Sequence, residues 1–93
     1  LAATEETKPQ VRANAQKIVD QLKQGGSFVA YARQFSEAST AAVGGDLGWI
    51  RLGQLPAELA TAANGMSPGQ LAGPIELNGG YSIIYVIDKR QVL

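Results

Sequence analysis

Leu71-Ala72-Gly73-Pro74-Ile75-Glu76-Leu77-Asn78-Gly79-Gly80-Tyr81-Ser82-Ile83-Ile84-Tyr85-Val86-Ile87-Asp88 is the stretch on which the fold turns. Two apolar runs flank Asn78-Gly79, the dipeptide preferred in two-residue type I′ hairpins, with Gly80 leaving room for a longer turn. Leu71 to Leu77 therefore reads as one strand. Tyr81 to Asp88 reads as its partner, rich in aromatic and β-branched residues. That second run is apolar on both faces, which predicts a central position in a sheet.

Working back from the hairpin, Pro56 opens a short helix with Leu55, Leu59 and Ala62 on one face, ended by Asn64-Gly65. A strand is expected near Gly48–Leu52. Before it, Gly44-Gly45-Asp46-Leu47-Gly48 predicts a turn with positive φ, Gly48 allowing another backbone to approach. Ser27 caps a helix running to about Glu37, with Phe28, Ala32 and Phe35 on one side. Further back, Val11, Ala15, Ile18, Val19 and Leu22 form a single apolar stripe. Thr7 and Gln10 fit a capping box at the start of that helix, Pro9 falls in its first turn, and Gly25-Gly26 ends it. Leu1-Ala2-Ala3 reads as the end of a strand whose start lies upstream. The whole is expected to be one α+β domain, residues 1–93, cut from a longer protein.

Composition narrows the chemistry. The 93 residues are 45% hydrophobic, but alanine supplies a large share, so the core is expected to be thin. Eight Lys and Arg balance eight Asp and Glu. With no basic stripe to release counterions from a phosphate backbone, no nucleic-acid partner is expected. Cysteine and histidine are both absent, which excludes disulfides and any step that needs a thiolate or imidazole of this chain, and no metal or cofactor is expected. No run reaches the roughly 20 apolar residues that span a bilayer, so membrane contact is not indicated.

Local motifs add little by themselves. Gly44-Gly45-Asp46-Leu47-Gly48 lacks the following Lys-Ser/Thr of a phosphate loop. Asp46, Glu58, Glu76 and Asp88 fall on different predicted elements, so their spacing proposes no catalytic carboxylate pair. No Gly-x-Ser-x-Gly elbow occurs, and the serines have no histidine partner.

Taken in order, however, the strings form a signature. Phe28, Phe35-Ser36-Glu37-Ala38-Ser39, Gly44-Gly45-Asp46-Leu47-Gly48-Trp49, Leu55-Pro56, Gly69-Gln70-Leu71-Ala72-Gly73-Pro74-Ile75 and Gly80-Tyr81-Ser82-Ile83-Ile84 resemble the parvulin (PpiC, rotamase) family of peptidyl-prolyl cis–trans isomerases. The resemblance spans nearly the whole chain and is nearest to the SurA-like periplasmic folding factors. It implies a four-stranded, mainly antiparallel sheet with about three helices, the first strand reduced to a stub. It also implies a periplasmic location, other domains in a parent chain, and unfolded or extended proline-containing polypeptides as partners.

An X–Pro bond rotates across a barrier of about 20 kcal/mol because the amide must lose conjugation. No covalent step is needed. The family holds the proline ring in an apolar cup, excludes water and favours the twisted amide. Carried over by position, Leu55 and Leu59 correspond to the cup, with Ala38, Trp49 and Tyr81 as further substrate-binding candidates. Ser39 and Thr40 stand where the family keeps hydroxyls, and Ser82 where it usually keeps a histidine. These three are the catalytic candidates. Ala38 replaces a position that is acidic or cysteine in the family. Three roles follow from the resemblance: a weak isomerase, a peptide-binding chaperone module without catalysis, or a structural domain of a larger folding factor.

Overall fold

The computed structural model describes residues 1–91; Val92 and Leu93, the last two residues of the expected domain, lie outside them. Three α-helices and one antiparallel hairpin carry the fold: α1 (Lys8–Lys23), α2 (Phe28–Phe35), α3 (Ala57–Asn64), β1 (Leu71–Leu77) and β2 (Gly80–Tyr85). Short 3-10 helices, Ser39–Val43 and Leu52–Gln54, punctuate the segment between α2 and α3. The α+β parvulin-like architecture is present.

The hairpin forms as its sequence requires. Leu77 pairs with Gly80, so the loop contains only Asn78 and Gly79. Gly79 has φ 89° and none of the described non-glycine residues, Asn78 included, has positive φ, so the expected type I′ turn, which needs positive φ at both central positions, is not the one adopted. The sign pattern is that of type II. Further along, the register shifts between Ala72 and Ile75. Gly73 and Pro74 together oppose Ile83, a bulge. A Cβ on Gly73 would lie 3.0 Å from the Ser82 carbonyl oxygen, in a backbone with φ 146°, so glycine is needed there.

On its other side β2 meets the N-terminal stub. Ala2 bridges antiparallel to Gly80, the Tyr81 N–H donates to the Leu1 carbonyl at 2.8 Å, and the Ala3 N–H donates to the Gly79 carbonyl. Gly80 is buried under this stub, and an added side chain would collide with the Leu1 carbonyl. The expectation of a strand end at Leu1–Ala3, and of a β2 flanked on both sides, holds at this end of β2.

The strand expected at Gly48–Leu52 does not form, and the described ladder has two strands, not four. A strand exists only with a neighbour to complete its hydrogen bonds. Among the described residues nothing pairs with Gly48–Leu52, and all five are exposed. Nor does Gly48 admit a neighbouring backbone, because nothing lies within 4 Å of a Cβ placed there. The positive-φ turn is real at Gly44 (72°), Gly45 (81°) and Gly48 (66°). It is Gly44 that takes a close approach: a Cβ there would stand 2.6 Å from Cγ1 of Val29.

The α1 stripe packs as its spacing predicts, with Ala15 and Val19 fully buried against the hairpin. The core is thin; Leu59, Ala63 and Tyr81 complete its buried apolar set. The α1 start departs from the expected capping box. Thr7 is itself helical in backbone (φ −95°, ψ −9°), so its hydroxyl does not reach the first-turn N–H groups. Thr7 Oγ1 accepts instead from the Thr4 N–H at 2.9 Å, and the Gln10 amide bonds Asn14. At α2 the cap is as expected, Ser27 Oγ accepting from the Ala30 N–H at 3.2 Å.

Candidate functional site

Strand alternation decides where the β2 residues can act. Tyr81 pairs with Glu76 across the hairpin, and its hydroxyl donates to Glu76 Oε1 at 3.3 Å. Glu76 in turn accepts from Lys8 of α1 at 3.0 Å. Tyr81 therefore faces α1, 5% exposed. Ser82 and its cross-strand partner Ile75, one residue on, face the opposite side. Tyr81 and Ser82 thus alternate across β2, Tyr81 packed in the core against α1, yet both border one depression at the hairpin end.

The three ionisable groups around Tyr81 perturb one another. Hydrogen bonding to Lys8 holds the Glu76 carboxyl below its ordinary value, aided by the ammonium charge. The Lys8 ammonium is raised, first by its hydrogen bond to Glu76 and then by Glu5. Burial pushes the Tyr81 hydroxyl up, and the Glu76 charge adds to it. This cluster ties α1 to the hairpin.

Ala38 lies in the extended link after α2, its N–H donating to Ser36 Oγ at 3.1 Å. Ser39 and Thr40 open the first 3-10 helix, which packs on α2; Ser39 is exposed and Thr40 half-buried. The Thr40 carbonyl is tied to the Gly45 N–H at 2.9 Å, which fixes the loop to the glycine turn. The neighbouring residue, Glu37, reaches the sheet: its carboxylate accepts from the Ala2 N–H. Glu37, Tyr81 and Ser82 line one shallow depression of about 210 Å³ at the hairpin end, together with Leu77 and Gly80. Sequence reasoning did not select Glu37. The signal was there, since it sits inside Phe35-Ser36-Glu37-Ala38-Ser39.

Leu55 and Leu59 are not on one helical face as expected. Leu55 precedes α3 with an extended backbone (φ −93°, ψ 152°) and is half-buried after the Leu52–Gln54 turn. Leu59 is buried within α3, which rests on β1. The turn carrying Leu52 packs against α3, so the two leucines belong to adjoining elements. Trp49 is 57% exposed, and the Arg90 guanidinium carbon lies 4.2 Å from its ring centroid. Around it Leu47, Ile50 and Leu52 are also exposed.

A larger cleft of about 710 Å³ opens between the α1–α2 junction and the hairpin, bordered by Leu22, Phe28, Leu71 and Tyr85. None of the expected site residues lines it. Among the described residues no three His, Cys, Asp or Glu side chains come together as a metal site, and no helix is long and apolar enough to cross a membrane.

Comparison with known proteins fits this frame. Chaperone SurA of Burkholderia orbicola is 38% identical over 82 residues, covering 88% of this chain and 18% of SurA. Chaperone SurA of Methylococcus capsulatus is 35% identical over 91 residues, covering 98% of this chain and 20% of SurA. The chain thus spans about a fifth of the length of the curated relatives it matches. A crystal structure of a PpiC-type peptidyl-prolyl cis–trans isomerase domain is 80% identical and superposes with a TM-score of 0.95, covering 98% of this chain and 84% of that one. PrsA from Bacillus subtilis superposes at 0.78 with 32% identity, covering 87% of this chain and 32% of PrsA. With residues 1–88 matching the rotamase family model, described as the PPIC-type PPIase domain, this chain belongs to the PpiC-type peptidyl-prolyl isomerase family.

Proposed function

We propose that the chain is one domain of a longer extracytoplasmic folding factor, periplasmic in its setting, and that it binds extended proline-containing polypeptide while isomerising X–Pro bonds only weakly. The observation that carries this reading is the make-up of the candidate cup. The exposed Trp49 and half-buried Leu55 offer apolar surface over the buried Leu59, whereas Ala38 and Ser82 stand where the family pattern has ionisable groups. Apolar contact and water exclusion favour the less polar, twisted amide without any proton transfer. Ser82, Ser39 and Thr40 can donate or accept a hydrogen bond but hold no charge near neutral pH. Glu37, beside Ser82, is the one carboxylate at that depression.

A protease-coupled assay on an Ala-Pro-Phe-type peptide tests the catalytic half. A kcat/KM of about 10⁶ M⁻¹s⁻¹ or above would overturn weak catalysis. Amide shifts during peptide titration test the binding half. Saturable changes confined to Ala38–Thr40, Trp49, Leu55–Leu59 and Ser82 are expected. Saturable shifts with no rate enhancement would favour the second reading, a peptide-binding chaperone module, which the open apolar surface at Leu47–Leu52 also supports. No saturable shifts at millimolar peptide would leave a structural domain only.

A further inference from the structure

The residues after β2 make two contacts that the cup does not need. Lys89 Nζ donates to the Asn64 carbonyl at 3.2 Å, at the C-terminal end of α3. A cation there meets the negative end of the helix dipole. The next residue, Arg90, places its guanidinium over the Trp49 ring. Consecutive cations thus tie one segment to two elements that flank the candidate cup, the helix carrying Leu59 and the loop carrying Trp49.

We propose that Asp88–Arg90 is a strap, and that Arg90 seated on Trp49 is an autoinhibitory contact that a bound polypeptide must displace. This rests on the reading above that Trp49 is part of the polypeptide-binding surface. Arg90 occupies one face of the indole, so a proline or aromatic ring of a peptide that stacks on that same face and the guanidinium exclude each other. The contact is solvent-exposed, and such cation–π pairs are weak, worth about two- to fivefold in an equilibrium. That strength suits a cover which shields one face of an otherwise exposed ring when the site is empty and gives way when it fills.

Trp49 is the single tryptophan, so fluorescence excited at wavelengths beyond tyrosine absorption reports this ring alone. The full chain is compared with Arg90→Ala and Arg90→Lys. In acrylamide quenching without peptide, Arg90→Ala is expected to be quenched more strongly, and Arg90→Lys, which keeps a cation, to stay near the parent. In titrations with the Ala-Pro-Phe-type peptide, Arg90→Ala is expected to bind about two- to fivefold more tightly. Lys89→Ala should shift both measurements the same way by less. Unchanged quenching in Arg90→Ala overturns the strap. Raised quenching with equal or weaker peptide affinity overturns the inhibition, making Arg90 a bystander or a peptide contact. Saturable binding to none of the proteins overturns the polypeptide site and the competition together, a result distinct from failure of the strap with binding intact.

Discussion

The helix–hairpin half and the segment from Ser36 to Pro56 are built on opposite terms. In the first, α1 lays Ala15 and Val19 onto β1 and β2, and the hairpin backbone is paired. In the second, the chain turns through two 3-10 helices and three positive-φ glycines and leaves Val43, Leu47, Trp49, Ile50 and Leu52 exposed. One half spends its apolar residues on cohesion. The other keeps them available at the surface, where contiguous apolar side chains mark interaction sites. The candidate cup lies at the seam, where the Leu52–Gln54 turn meets α3.

The sharpest way to break this contrast is to truncate one leucine on each side. Leu59 is buried in α3 and Leu52 is 43% exposed. Leu59→Ala should lower stability by about 2–4 kcal/mol in urea unfolding, from lost burial and a residual cavity. Leu52→Ala should change it by less than about 0.5 kcal/mol. Similar losses at both sites would mean the open segment is as cohesive as the core.

A second variant sharpens the comparison at the point where the open segment presses on α2. Gly44 is buried, left-handed and pressed against Val29. Gly44→Ala should cost about 1–3 kcal/mol from the backbone strain and the displaced valine, read as a lowered denaturation midpoint. An unaffected midpoint would show that the glycine turn is free of α2.

The smallest expected effect concerns charge on the ordered half. Glu76 titrates below its ordinary range when folded, so its contribution to stability is complete above that range and fades as pH falls through the lowered value. Lys8 and Tyr81 are raised, so their contributions are complete below their ordinary values and fade as pH rises through the shifted ones. Stability should be flat through neutral pH and slope down at both ends. Glu76→Gln should flatten both slopes slightly, the pair being partly solvated. Identical pH profiles for the two proteins would remove any folded-state role for the pair.

What could be read from sequence follows from how local each feature is. The stripe from Val11 to Leu22 and the Asn78-Gly79 turn are short-range patterns, and both elements formed where their spacing put them. The strand expected at Gly48–Leu52 depends on a neighbour that local pattern does not supply, and its residues stay unpaired. At the site, the cup leucines were identifiable through resemblance, yet Leu55 proved to lie outside the helix because Pro56 caps it. Tyr81 and Ser82 alternate in direction along β2, as a strand's two-residue period requires, and share only the depression at the hairpin end. Arg90 on Trp49 joins residues far apart in sequence through side chains alone, and nothing in either neighbourhood announces it.

The bulge at Gly73 and Pro74 has a bearing on how the domain behaves in crowded company. β1 is the outer strand of the described sheet, and an open edge is a template onto which other chains can polymerise. Proline removes one N–H from that rim, and the register shift beside it spoils the even spacing that an incoming strand would need. On the polypeptide-binding reading proposed above, a domain that leaves several large apolar side chains in water would meet sticky extended chains repeatedly. The rim interrupted at Pro74 would let it touch them through side chains without becoming a seed for their β-aggregation.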